Sequence, residues 1–295
     1  MLIPRKALVC CFILLLTARV TFAQKTVSAP TSDNGKESIV EEAIFHSPSL
    51  DRDMHYLVLL PRDYSTGRSF PVLYLLHGLY GDYTNWDKRT GIESYAKTVS
   101  FLIVMPDAND SWYTNSATVP RDKFEDYITK DVISEIDTKY RTIREKRARA
   151  IAGLSMGGYG AIKLALRHPD LFGFAASLSG AFNASRNLDH LRPEFRAKLQ
   201  EVFGKARNHA RKQNDVFRLL RTAHEYPYFY LACGAEDFFL GTNRTLAAQL
   251  SSQKVTYEYH ETAGGHTWEY WDSALDPMLQ AAARQLESGS TTDGK

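Results

Sequence analysis

A chain of 295 residues, 44% hydrophobic and 24% charged, has an ordinary globular composition and can bury one large core or two small ones, a single domain being the simpler reading. Its 36 Lys and Arg against 34 Asp and Glu leave a formal charge of +2, so no global electrostatic case exists for nucleic acid or anionic lipid as a partner.

The first 23 residues read as an export leader, giving a secreted or periplasmic product. Arg5 and Lys6 precede an apolar run, Ala7 to Leu16, and Thr21-Phe22-Ala23 offers small residues for cleavage after Ala23. The run is well short of the roughly 20 residues that span a bilayer, so no stable membrane insertion is expected. Cys10 and Cys11 leave with this segment. Cys233, at the end of an apolar run, then has no disulfide partner and reads as a small buried hydrophobe. Residues 24–37 and 287–295 are polar and read as mobile tails around a domain spanning 38–286.

Within that domain, short apolar runs at His55 to Leu60, Val72 to Leu76, Phe101 to Met105, Ala148 to Ala152, Phe174 to Leu178, Tyr228 to Ala232 and Val255 to His260 predict strands, most buried on both faces. Between several of them the spacing turns helical. Phe124, Tyr127, Ile128, Val132, Ile136 and Tyr140 mark one helix over 124–140, and a second covers Gly157 to His168, before Pro169. A third begins near Thr267 and carries Trp268, Trp271, Leu275, Leu279, Ala282 and Leu286 on one face, with a bend expected at Pro277. This alternation predicts an α/β fold, a mainly parallel central sheet with helices on both sides. Residues 181–223 break the rhythm with ten Lys or Arg and short helical patterns, read as a small helical cap inserted after the strand ending near Leu178. Its basic surface reads first as a solvated face and second as an attractor for acidic substrates.

Gly153-Leu154-Ser155-Met156-Gly157 sits between a predicted strand and a predicted helix. That is where a nucleophile elbow belongs: glycines let the chain turn sharply and leave the serine hydroxyl projecting from the sheet edge. A serine needs a base to take its proton and a carboxylate to orient the base. His266, after Gly264-Gly265 in the loop that follows the last strand, is preferred among nine histidines, with His260 read as structural. The carboxylate should follow the preceding strand, where Glu236 and Asp237 stand side by side, Asp237 being preferred. The oxyanion of a tetrahedral intermediate needs fixed donors. The backbone N–H of Met156 supplies one, and that of Leu79, in His77-Gly78-Leu79-Tyr80-Gly81, is the candidate for the other.

The segments HGLYGDYTNW, MPDANDSWYTNSA, FEDYITKDVISEIDTKY, AIAGLSMGGYGAIKLALRHPDLF, CGAEDFF and GGHTWEYW resemble the esterase family that includes esterase D, S-formylglutathione hydrolases, tributyrin-type esterases, and the feruloyl and acetylxylan carbohydrate esterases. The resemblance covers most of His55 to Leu286 and implies an α/β-hydrolase fold. It also implies Ser155 as nucleophile, Asp237 as acid, His266 as base, Leu79 and Met156 as the oxyanion hole, and Ser111-Trp112-Tyr113 beside the substrate. Trp112 and Tyr113 read equally as core aromatics.

The S-formylglutathione hydrolases are cytosolic, so an exported chain fits a polysaccharide or lipid esterase better. The expectation is a serine carboxylesterase acting through an acyl-enzyme on short acyl or cinnamoyl esters, with an acylated saccharide as substrate, no cofactor, and no metal. Acyl transfer to another acceptor and thioester cleavage use the same groups, while a non-catalytic binding module would not need all of them. The cap, being variable, leaves acyl preference open.

Overall fold

The computed structural model describes residues 39–288 except 187, 189, 190 and 207. The leader read at 1–23, the tail at 24–37 and residues 289–295 lie outside the described residues. Among the described residues eight strands form one sheet: β1 (Ile39–Ser47), β2 (Arg52–Leu60), β3 (Val72–Leu76), β4 (Leu102–Pro106), β5 (Arg149–Leu154), β6 (Phe174–Leu178), β7 (Tyr228–Gly234) and β8 (Tyr257–Thr262). Their order is β1-β2-β4-β3-β5-β6-β7-β8. The pairs β1/β2 and β2/β4 are antiparallel, and every later pair is parallel.

β3, β4, β5 and β6 are buried along their whole length, as expected of strands covered on both faces, and their boundaries fall within two residues of those read from the apolar runs. β8 begins two residues later than its apolar run and is half exposed. β1 has no counterpart among the runs. It is an edge strand in which Glu41 and Glu42 interrupt the apolar pattern and Ile39 and Ile44 stay 58% exposed.

Two apolar layers cover the sheet. One gathers Tyr127, Ile136, Tyr159, Ile162, Phe203 and Leu250. The other gathers Trp86, Ile92, Trp271, Leu275, Met278 and Leu279, so the helix Trp268–Ser288 closes the opposite face. That helix contains Pro277 and runs through Ser288, two residues into the stretch read as a tail. The single helix expected over 124–140 is split: Phe124–Asp126 and Ile133–Lys139 are α-helical, and Tyr127–Val132 between them is a π-helix. Its wider turn lets Tyr127, Ile128, Thr129 and Val132 all be buried.

Between β6 and β7 lie the helices Pro193–Phe203, His209–Gln213 and Val216–Thr222, within the segment read as a cap. Its cations are not all solvated. Arg211 is buried and donates to the carbonyls of Ser185 and Arg186.

Candidate active site

Every candidate group lies at the carboxyl end of a parallel strand, where open α/β sheets hold their ligands. Ser155 follows β5 directly, with φ +52° and ψ −111°, a conformation that costs on the order of 1–3 kcal/mol for a residue with a side chain. The neighbouring glycines explain how the turn is possible. A Cβ on Gly157 would lie 2.5 Å from the Leu76 carbonyl oxygen and 2.6 Å from that of His77, and one on Gly153 would lie 2.5 Å from the backbone of Gly157. The elbow is therefore packed backbone against backbone, and the helix Met156–Arg167 starts immediately after it. The Ser155 amide donates to the Leu178 carbonyl at 2.9 Å, tying the turn to β6.

β7 and β8 bring the other two groups to the same place. Ser155 Oγ lies 2.9 Å from His266 Nε2, and His266 Nδ1 lies 2.8 Å from Asp237 Oδ2. The carboxylate accepts the Nδ1 proton, which leaves Nε2 as the acceptor for the serine hydroxyl. Asp237 is 5% exposed, and its other oxygen accepts the Phe239 amide at 2.7 Å. Burial opposes its ionisation, but the hydrogen bonds from His266 and Phe239 outweigh that and hold the carboxyl below its usual range.

Glu236 does not touch His266. Its carboxylate accepts the Gly264 amide and so holds the loop that carries the histidine. His260 lies out on β8, paired with Glu258 at 3.0 Å and stacked on Tyr230.

Leu79 and Met156 flank the serine from two elements. Met156 is the first residue of its helix, where amides lack an intrahelical acceptor, and its side chain is fully buried in the core. Leu79 follows β3 and lines the cavity, and its amide has no acceptor among the described residues.

That cavity, about 950 Å³, opens over Ser155 and His266. Trp112, Leu191, Phe195 and Leu199 make an apolar wall belonging to the Tyr159 layer. Asn85, Arg89, Thr267, Trp268 and Glu269 line it from the Trp271 side.

Of the two aromatics placed beside the substrate, Trp112 lines the cavity, although it is only 5% exposed and packs edge-on to Tyr159 and Phe203. Tyr113 is corrected to a core residue. It is fully buried, does not line the cavity, and donates its hydroxyl to the His77 carbonyl at 2.8 Å. Both have positive φ, +55° and +52°, which turns consecutive side chains into different environments.

Phe238 and Trp271, which no motif singles out, also pack on His266. Their rings lie 4.5 and 4.8 Å from the His266 ring, and Phe238 is 73% exposed at the cavity mouth. The adjacency of Phe238 to Asp237 was the available signal. Cys233 is buried, and burial, then the Asp237 charge, pushes its thiol up to about 12, so it is a poor nucleophile.

Comparisons with known proteins bear on the family and the fold. The family model Esterase, described as "Putative esterase", matches residues 47–282. FphF, a fluorophosphonate-binding serine hydrolase of Staphylococcus aureus solved with substrate bound, superposes with a TM-score of 0.77 at 29% identity. That match covers 84% of this chain and 99% of FphF. A solved ferulic acid esterase gives a TM-score of 0.73 at 26% identity, over 85% of this chain and 99% of its own. An acetyl esterase of Caldicellulosiruptor saccharolyticus is 25% identical over 256 residues, 78% of this chain and 93% of the relative. With a match spanning most of the chain, the protein belongs to this esterase family and is a serine hydrolase of carboxylic esters on an α/β-hydrolase fold.

Proposed function

We propose that the protein is an exported carboxylesterase in which Ser155, His266 and Asp237 act as one catalytic unit through an acyl-enzyme. The observation that carries this is the unbroken line of hydrogen bonds, 2.9 and 2.8 Å, from Ser155 through His266 to Asp237 at the cavity mouth. His266 Nε2 takes the Ser155 proton as Oγ attacks the ester carbonyl carbon. The carbonyl oxygen becomes an oxyanion between the amides of Leu79 and Met156, donors worth about 10²–10³ in rate each. His266 then returns its proton to the leaving alcohol oxygen, the C–O bond breaks, and the acyl group stays on Ser155. Water, deprotonated by His266, attacks that ester in turn, and the acid leaves as Ser155 recovers its proton.

The two walls of the cavity support a division of the substrate. The acyl group, short aliphatic or cinnamoyl, lies against Trp112, Leu191, Phe195 and Leu199, where burying apolar area gains about 25 cal/mol per Å². The alcohol lies toward Asn85, Arg89, Trp268 and Glu269, a mixture of donors, acceptors and an aromatic face that suits a sugar. Arg89 sits over the Trp268 ring at 5.4 Å. The leader read at residues 1–23 supports placing the enzyme outside the cytoplasm, where such acylated saccharides would be met.

A fluorophosphonate probe should label the protein on Ser155, and labelling should vanish in Ser155→Ala. Nitrophenyl esters of increasing acyl length, with methyl ferulate and acetylated xylan beside them, then read the walls. Phe195→Ala should shift acyl preference, and Arg89→Ala should raise KM for the sugar ester while nitrophenyl acetate is turned over as before. A folded protein that neither reacts with the probe nor cleaves any of these esters refutes the reading.

A further inference from the structure

The oxyanion donor read at Leu79 is a peptide amide, and a peptide is rigid: in a trans unit the C=O of one residue and the N–H of the next point in opposite directions within one plane. The Leu79 N–H therefore shares its plane with the Gly78 carbonyl, and whatever grips that carbonyl aims the N–H. Two donors grip it. His77 Nδ1 lies 2.8 Å from Gly78 O, and the Gly81 amide donates to the same oxygen at 3.1 Å.

The imidazole is itself held. The Ala108 amide donates to His77 Nε2 at 3.0 Å, while Asp107 Oδ1 stays at 3.6 Å from that nitrogen, beyond hydrogen-bond reach, so Nε2 is an acceptor and Nδ1 carries the proton that reaches Gly78. The ring is 1% exposed. A Cβ on Gly81 would sit 3.2 Å from His77 Nδ1 and 3.0 Å from Gly78 O, so ring and turn leave little slack.

The residue is tied down from behind as well. Tyr113 Oη donates to the His77 carbonyl at 2.8 Å, Lys163 Nζ donates to the Tyr113 carbonyl, and Lys163 is paired with Glu125 at 3.0 Å, all inside the core. On the far side of the turn Tyr80, at φ +61°, gives its amide to Asp110 Oδ1 at 2.7 Å. Of the amides of Leu79, Tyr80 and Gly81, two are thus committed to protein acceptors. Only that of Leu79 has none among the described residues.

We propose that His77 is a positioning residue of the oxyanion hole: its Nδ1–H, given to the Gly78 carbonyl, sets the Gly78–Leu79 peptide plane and points the Leu79 N–H at the developing oxyanion. The inference rests on the reading of Leu79 as a hole donor. His77 touches no substrate. It acts through the peptide, and by polarising the carbonyl it also strengthens the amide at the other end of the same unit.

The test exploits which nitrogen does the work. Asn places an amide nitrogen near the position of Nδ1, whereas Gln places one near Nε2. His77→Gln should lower kcat on nitrophenyl acetate about ten- to a hundredfold with KM within threefold, and weaken a boronic acid that mimics the tetrahedral intermediate by the same factor. His77→Asn should recover kcat to within about fivefold of the wild type, even though it strands the Ala108 amide and lowers Tm. In the wild type, 15N NMR should find the proton on Nδ1.

Equal kcat in the two variants, or a proton on Nε2, overturns the proposal, because a merely structural histidine would not distinguish the nitrogens. Leu79→Pro separates the two layers of the argument. If it loses about a hundredfold in kcat while His77→Gln is normal, the inference about His77 alone falls. If Leu79→Pro keeps its kcat, the hole reading falls and takes the inference with it.

Discussion

Replacing Asp237 by Asn removes a charge while keeping the shape, and the local hydrogen bonds say what happens next. The Phe239 amide needs an acceptor at 2.7 Å, so the carboxamide oxygen takes that place and the NH₂ is left facing His266 Nδ1. Two N–H groups cannot face each other, so Nδ1 gives up its proton and the ring carries it on Nε2, 2.9 Å from Ser155 Oγ. The nitrogen that must accept the serine proton is then already protonated. Loss of the correct tautomer costs about 10⁴ in kcat in the general serine-triad template, roughly 5.4 kcal/mol of transition-state stabilisation at about 1.36 kcal/mol per decade.

The measurement is steady-state kcat on nitrophenyl acetate, with circular dichroism and Tm to show that the fold survives. Glu236→Gln is the paired control. Its amide oxygen can still accept from Gly264, so kcat should stay within a few fold. With serine, histidine and aspartate acting as the proposed unit, Ser155→Ala combined with Asp237→Asn should be little worse than Ser155→Ala alone. An Asp237→Asn enzyme retaining a tenth of wild-type kcat, or a dead Glu236→Gln, would refute the reasoning.

Two further outcomes follow from the packing. Gly157→Ala drives a methyl against the carbonyl oxygens of Leu76 and His77, backbone atoms that cannot rotate away. It should cost about 1–3 kcal/mol, lower Tm by roughly 2–12 °C, and reduce kcat by displacing both the elbow and the Leu79 loop. A calorimetric Tm equal to wild type would contradict this. Glu125 is buried. Burial opposes its ionisation, yet Lys163, His168 and Arg167 hold its carboxyl well below the usual range. A group whose folded pKa is depressed contributes stability that is present above the unfolded pKa, about 4.3, and is lost as pH falls. Thermal unfolding followed from pH 7 to pH 3 should therefore lose part of its acid sensitivity in Glu125→Gln, after allowing for that variant's lower starting Tm. An unchanged slope would show that the cluster does not titrate on unfolding.

The local order of this chain was legible without its fold. Apolar runs marked seven of the eight described strands because a strand covered on both faces is apolar at nearly every position, as β3 to β6 show with Arg149 and Ser177 their polar exceptions. β1 escaped because an edge strand exposes half its residues and tolerates Glu41 and Glu42. The elbow was legible because backbone contact at 2.5 Å leaves no choice but glycine, and a constraint that absolute writes itself into the sequence. The chain order of serine, acid and histidine could be read because each follows its own strand to the same edge of the sheet.

What required the tertiary structure was everything that depends on direction. Glu236 and Asp237 are neighbours in sequence, but one accepts from Gly264 and the other from His266, and only the path of the turn after β7 separates them. Trp112 and Tyr113 are likewise adjacent, yet at φ +55° and +52° one reaches the cavity and the other the His77 carbonyl. The walls of the cavity join residues far apart in the chain, Trp112 with Phe195 on one side and Arg89 with Trp268 on the other. No local pattern encodes such pairings, because spacing fixes which face of an element a side chain shares and long-range packing alone fixes what that face meets.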